Sequence, residues 1–388
     1  MYRPGWAATL ASTTVPNPLG GVTLHAIRSV FVEGFGRFGS PMETGDVGPL
    51  NLLVGENDTG KTWVLKLLYA VTRSVEEYWR KREGPEPASL EDLFTRKLKW
   101  TFLPGEAEFR IGGLVTLGQR EARIRVEWYG GHLEAQWGAG AIRHLGGCDV
   151  DGLEALRGGS ASFMGPKEIL TIAEAIRATR VRLELPAFDD TAYDLLLDYE
   201  QDVPRGRLQD VTYEALEYLS DAVGGGEVVR DSDGRIWWMP AAGGRSARKL
   251  PIAQAAEGIR KVGVLFRLLR NRRINPNAGG FLFVDEPEAN LHPRAEVLFA
   301  ELLHTLARSG IQVFVATHSY FVAKRLEQLA RSDDGASTHR LIELRRGSER
   351  REVTLEARPL RLGLPAGNPI VDESLRLLDR DVALDLEE

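Results

Sequence analysis

Apolar and polar positions along this chain repeat with two different periods, and the changes of period mark its segments. Residues 1–20 follow neither; their prolines, glycines and small residues predict a flexible leader. Thr23–Val32 is strand-like, and Leu50–Val54 is a continuous apolar run. After a glycine-bounded loop, Lys61–Val71 has helical apolar spacing, which continues through Glu76–Glu83 until Gly84-Pro85-Glu86-Pro87 stops it. Across 97–146 the runs KWTFL, AEFRIGG, EARIRVEWYGG and HLEAQWG are short, alternating and separated by glycines, which predicts an antiparallel meander. From Pro166 to about Ser220 the spacing is helical again. Glu227–Pro240 predicts a hairpin around Asp233-Gly234, and Ala255–Leu269 a helix. Phe281–Val284 and Gln312–Ala316 predict buried strands flanking a helix at Pro293–Ala307. A strand pair, RLIELRR and REVTLEA, and an acidic helix at Asp372–Asp381 close the sequence. There are no repeats and no sustained heptads.

Composition narrows the class. The chain has 388 residues, 43% hydrophobic and 27% charged, which is ordinary globular usage with ample core material. A formal charge of −6 excludes a dedicated, strongly basic nucleic-acid coat, though not a local patch. One cysteine, Cys148, cannot form an intramolecular disulfide, and no secretory apolar segment precedes it. The apolar runs fall far short of the roughly 20 residues that span a bilayer. The expectation is a soluble cytoplasmic protein with no membrane partner.

Chemistry is concentrated in three places. Gly55-Glu56-Asn57-Asp58-Thr59-Gly60-Lys61-Thr62 matches G-x-x-x-x-G-K-[ST], between a buried strand and a helix. Its glycines let backbone N–H groups face an anion, and the helix N-terminus adds a favourable dipole. Lys61 should reach the β- and γ-phosphates of ATP, and the Thr62 hydroxyl should bind Mg²⁺. Phe281–Val284 ends in Asp285 and Glu286. A buried parallel strand delivers such carboxylates to the sheet edge beside the loop. Asp285 is expected to hold Mg²⁺ and Glu286 to orient or deprotonate the attacking water. The apolar run VFVA ends near His318, which can hydrogen-bond a γ-phosphate and sense its loss. Lys61, Glu286 and His318 are the predicted catalytic residues.

VDEPEANLHP (Val284–Pro293), with LLVGENDTGKT, VATHS and GFGRF (Gly34–Phe38), resembles the ABC-type heads of the OLD/RecF/SMC-like group of prokaryotic AAA ATPases. The resemblance implies an α/β P-loop fold, an ABC-ATPase-like head with a mixed sheet. It also implies a homodimer that sandwiches two ATP molecules, with room for a higher oligomer. Ala255–Lys261 stands where this group has its signature helix, and a serine usual there is replaced by Ala256 or Glu257. Glu257 and Gly258 would then meet the partner's γ-phosphate, and Asn290 would lie at the dimer seam. Arg37 is implied near the nucleotide base. Phe163–Glu168 resembles the PxxE segment of OLD-like ATPases.

Lys61 and Asp285 are 224 residues apart, more than in a transporter's ATPase subunit, and the gap lacks the heptads of an SMC coiled coil. The expected division is therefore a leader at 1–20, a discontinuous head at 21–96 and 250–388, and an inserted β-meander plus helical subdomain at 97–249. The stretch after His318 is too short for the Toprim nuclease of OLD proteins and lacks its carboxylate set. Asp333-Asp334 lie in a Gly/Ser loop. The expected function is ATP hydrolysis that drives or senses for a separately encoded effector, a nuclease or toxin, in anti-phage defence or DNA maintenance. The alternative is an ATP-binding scaffold with very slow turnover. DNA or RNA would contact Arg267, Arg270, Arg272 and Arg273 before the charge-mixed Arg340–Arg351 region. The strand-borne tryptophans Trp100, Trp128, Trp137, Trp237 and Trp238 suit a core or partner surface better than base stacking.

Overall fold

The computed structural model describes residues 27–380, apart from 83, 85–86, 104–109, 140–141, 148–152, 155, 184, 232, 242–248, 277, 334–337, 348–352, 366, 369–371, 375 and 378. The leader, Cys148, Asp334, Arg350 and Arg351 lie outside the described residues.

In chain order the elements are β1 (Ile27–Glu33), β2 (Met42–Glu43), β3 (Leu50–Gly55), α1 (Lys61–Arg82), α2 (Leu90–Phe102), β4 (Ala122–Trp128), β5 (Gly131–Trp137), β6 (Ile142–Gly146) and β7 (Ser160–Met164). There follow α3 (Ala173–Arg177), α4 (Asp190–Glu200), α5 (Asp210–Ala222), β8 (Gly226–Arg230), β9 (Ile236–Pro240), β10 (Leu250–Pro251) and α6 (Glu257–Arg270). The last are β11 (Gly280–Asp285), α7 (Pro293–Arg308), β12 (Ile311–Ala316), α8 (Tyr320–Ser332), β13 (Arg340–Arg346) and β14 (Val353–Pro359). The described residues from 372 to 380 are helical.

The main sheet has six strands in the order β14-β13-β3-β12-β11-β7, parallel throughout except for β13 with β14. All residues of β3, β11 and β12 are buried, as continuous apolar runs in a covered parallel sheet must be. Successive residues serve opposite faces. Leu53, Phe283 and Phe314 pack with α1, α2 and the second sheet, whereas Leu52, Val54, Leu282, Val284, Val313 and Val315 pack with the α4–α8 side. The second sheet is antiparallel, β2-β1-β4-β5-β6, and the hairpin β8–β9 with β10 forms a third, small one. Among the described residues no helix is long and apolar enough to cross a membrane.

Three expectations change. KWTFL is not a strand; it ends α2, whose buried residues Leu90, Leu93, Phe94, Lys97, Leu98 and Thr101 recur every three or four positions. Ser89 caps that helix by accepting the Asp92 N–H at 3.0 Å, so the helical period and its cap override a five-residue alternation. In AEFRIGG the described part contains a 3₁₀ turn, Ile111–Leu114. The meander begins at β4, which pairs with β1 (Val30 opposite Val126), and β7 lies parallel to β11 at the main sheet's edge. One-sided apolar strands need a covering layer, and the buried residues of β1, β4 and β5 share one cluster with those of α1 and α2. The helical spacing expected from Pro166 also breaks, with a π turn at Ala178–Arg182 after α3.

Candidate functional site

The phosphate loop is shaped by backbone that only small or tolerant residues adopt. Gly55 has φ +154° and a Cβ there would meet the Leu344 carbonyl oxygen at 2.2 Å; Gly60 has φ +98° and would meet the Phe38 ring at 2.6 Å. Asp58 takes the left-handed conformation between them, φ 66°. Thr59, buried, donates its hydroxyl to the Glu56 carbonyl at 2.9 Å. The loop therefore closes on itself and directs the start of α1 outward. No acidic residue occupies that first turn, which leaves a favourable place for an anion. Lys61 Nζ donates to the carbonyls of Gly55 and Glu56, both at 2.8 Å. Burial lowers its pKa, against the opposing pull of Asp285, Glu286 and Glu288.

β11 ends at Asp285, which is 5% exposed and accepts the Thr62 hydroxyl at 2.8 Å. Burial raises the Asp285 pKa, while the Thr62 hydrogen bond works the other way. A carboxylate and a hydroxyl at one point suit a hard cation such as Mg²⁺, which completes its shell with phosphate oxygens and water. Among the described residues no group of three or more His, Cys, Asp or Glu is arranged to hold a metal alone, so any ion here would need those further ligands. Glu286 follows with φ 49°, its N–H bonded to the Ala316 carbonyl at 2.9 Å. His318 follows β12, and burial, then Lys61, lowers its pKa, which keeps the imidazole neutral at pH 7. A cavity of about 510 Å³ runs from Gly55, Glu56 and Asn57 to His318, Tyr320 and Arg346.

Thus Lys61, Thr62, Asp285, Glu286 and His318 converge at the C-terminal ends of three adjacent strands. Arg37 also reaches the loop, paired with Asp58 at 2.6 Å on the surface. Gly258 and Asn290 group instead with each other: a Cβ on Gly258 would meet the Asn290 carbonyl oxygen at 2.5 Å. Glu257 opens α6 behind Ala256, an exposed N-cap with no side-chain cap bond.

Two residues that the pattern did not single out complete the site. Glu288 accepts the Thr317 hydroxyl and the His318 N–H, both at 2.7 Å, and so ties the carboxylate turn to the histidine loop. Lys261 is 2% exposed and donates to the Glu286 carbonyl at 2.6 Å; burial lowers its pKa to about 8. Their signals were a third acid in VDEPE and a lysine on the apolar face of α6. Arg346, grouped above with a basic stretch, donates to the Asn57 carbonyl at 2.8 Å.

The preferred nucleic-acid stretch is spent internally. Arg267 donates to the carbonyls of Tyr199 and Gln201, Arg270 pairs with Glu227, Arg272 bonds the Arg207 carbonyl, and Arg273 is buried against Glu76. Arg273 is buried, while the Arg270 side chain stays 43% exposed. Trp128, Trp137 and Trp238 are core residues.

Residues 182–323 match the family model described as "AAA domain, putative AbiEii toxin, Type IV TA system". The matched stretch contains Asp285, Glu286 and His318 but not the loop at 55–62. Among solved structures, the chain is similar to the SMC head domain from Thermotoga maritima: 16% identity, TM-score 0.44, covering 86% of this chain and 98% of that one. It is also similar to an Smc head bound to the C-winged helix domain of ScpA, at 12% identity and TM-score 0.49, covering 87% of this chain and 98% of that one. For an Smc head with an extended coiled coil bound to the C-terminal domain of ScpA, derived from Pyrococcus furiosus, the figures are 12%, 0.48, 91% and 98%. No curated protein matches the chain. The strand–loop–helix at β3 and α1 and the parallel core with one antiparallel edge strand make an α/β fold with a mixed sheet, of which residues 182–323 match the AAA model.

Proposed function

We propose that this chain is an Mg²⁺-dependent ATPase of the OLD/RecF-like kind. The observation that carries the reading is the 2.8 Å hydrogen bond from Thr62 to Asp285, which brings the loop and the carboxylate strand to one point beside Lys61 and Glu286. Loop N–H groups and Lys61 bind the phosphates, and Arg37 contacts the nucleotide near its base. Mg²⁺, held by Thr62 and Asp285, would neutralise charge on the β- and γ-phosphate oxygens. Glu286 orients and deprotonates the attacking water, and neutral His318 donates to the γ-phosphate. Glu288 holds the histidine loop at the required distance from the carboxylate.

In this reading two chains close head to tail. Glu257, Gly258 and the open N-terminus of α6 meet the partner's γ-phosphate, and Asn290 lies at the seam. The dimer works in the cytoplasm as motor or sensor for a separately encoded nuclease or toxin, in defence against phage or in DNA maintenance. The second reading, a slow scaffold, is favoured by Ala256, because the helix start offers no hydroxyl to the partner's phosphate.

The test is phosphate release from ATP with and without Mg²⁺, for the wild type and Glu286→Gln. Mg²⁺-dependent release that the variant loses, with ATP retained and a dimer visible by light scattering, is the expected result. Full activity in Glu286→Gln refutes the assignment of the base. No dimer with ATP refutes the sandwich, and slow release with tight ATP retention in the wild type selects the scaffold.

A further inference from the structure

Glu286 has a left-handed backbone, φ 49°, which costs a residue with a Cβ on the order of 1 kcal/mol and persists only where neighbours enforce it. Its N–H side is held by the Ala316 carbonyl at 2.9 Å, and its carbonyl side by Lys261 Nζ at 2.6 Å. One grip comes from β12, the other from α6. The same helix touches the far end of this turn, where Gly258 packs on the Asn290 carbonyl, and it is anchored behind by Arg260 paired with Glu168 at 3.3 Å. The acids near Lys261 are Glu288, Glu286, Asp285 and Glu257. A buried ammonium is costly to desolvate, and a methionine would fill the same helix position without that cost. The cation is therefore explained by what it holds.

We propose that Lys261 is a positioning residue for the water-activating carboxylate: it clamps the main chain of Glu286 to α6, so that the position of this helix sets the aim of the carboxylate. The proposal rests on the assignment of Glu286 given above. If the N-terminus of α6 meets a partner's nucleotide, Lys261 relays the contact directly to the Glu286 main chain, beside the Gly258 contact at the far end of the turn.

The experiment compares wild type, Lys261→Met and Lys261→Arg as full chains. Amide hydrogen exchange without nucleotide is measured first. In Lys261→Met exchange should rise across residues 286–291 while β3 and α1 stay protected, and Lys261→Arg should restore protection. With MgATP, Lys261→Met should lower kcat by roughly tenfold to a hundredfold, the scale of a small misplacement, and change ATP affinity less than about twofold. Lys261→Arg should recover most of the loss. Unchanged exchange at 286–291, an unchanged kcat, or failure of Lys261→Arg to recover either overturns the clamp. A wild type without MgATP hydrolysis overturns the ATPase reading instead, and exchange alone then decides the clamp. Should Lys261→Met not fold, Lys261→Gln is judged by the same exchange measurement.

Discussion

Removing Glu288 separates two contributions that the site combines. Its carboxylate takes one hydrogen bond from the Thr317 hydroxyl and one from the His318 N–H, each 2.7 Å long. Hydrogen bonds to a charged group contribute roughly 1.5–3 kcal/mol each, and a half-buried place argues for the lower end. Glu288→Ala deletes both and leaves a main-chain N–H and a hydroxyl to find water, so it should cost about 3 kcal/mol. Glu288→Gln differs in a defined way. Its amide oxygen can still accept the His318 N–H, and its NH₂ can donate to the Thr317 oxygen, which keeps one lone pair free beside the Ser319 N–H it already accepts. Geometry is kept and charge is lost, so the cost should fall to about 1 kcal/mol. Urea denaturation of both variants gives these values at constant m. Turnover should follow the same order, because the histidine loop moves only when both bonds are gone. Equal stability of the two variants, or an alanine variant within about 0.5 kcal/mol of wild type, would refute the reasoning, since surface positions without such features lie in that range.

Two more outcomes follow from packing and burial. His339 is buried, bonded to His304 at 3.2 Å, and held at a pKa of about 3 by burial and then by His304; burial lowers His304 too. A histidine kept neutral in the fold but titrating near 6.5 when unfolded binds its proton preferentially in the unfolded chain. Its stabilising effect is complete above pH 6.5 and is lost as pH falls towards 3, by about 1.4 kcal/mol per pH unit. Urea midpoints at pH 6.5 and 5.5 should fall less in His339→Gln than in wild type; equal slopes would sink the idea. Gly258→Ala should destabilise by roughly 1–3 kcal/mol through the forced shift against Asn290, whereas an unhindered helix start would gain up to about 1 kcal/mol. Denaturation decides by the sign alone.

The candidate site was legible because each motif is local. Loop, strand-end acids and strand-end histidine each occupy a few consecutive residues, and continuous apolar runs named the parallel strands that carry them. Arg37 is implied near the nucleotide base only through a resemblance; in the structure it pairs with Asp58. What sequence hid was long-range. β4 alternates as a strand must, but nothing in it names β1 as its partner. KWTFL alternates over five residues by chance of a helical face. Lys261 and Glu288 act on atoms 25 and 30 positions away, the Glu286 carbonyl and the His318 N–H, and such contacts have no spacing rule.

The same limit applies to the charges under α1, and their geometry bears on the site. Arg73 meets Asp198 at 3.1 Å; Lys97 meets Glu77, Asp190 and Asp194 at 2.9, 2.9 and 2.7 Å; Arg273 meets Glu76. All three cations are at most 9% exposed. Buried ion pairs add little net stability against apolar residues of the same size, so this network is weak as glue. Breaking one is another matter: an unpaired buried charge costs about 3–5 kcal/mol. Any slide of α1 against α2, α4 or the end of α6 would part at least one pair and incur that cost. The network therefore fixes orientation more than it adds stability. α1 carries Lys61 and Thr62 at its start, and α6 carries Lys261. Locked through Arg73, Asp198 and Arg273, these two helices hold the phosphate loop and the Glu286 turn in one rigid frame.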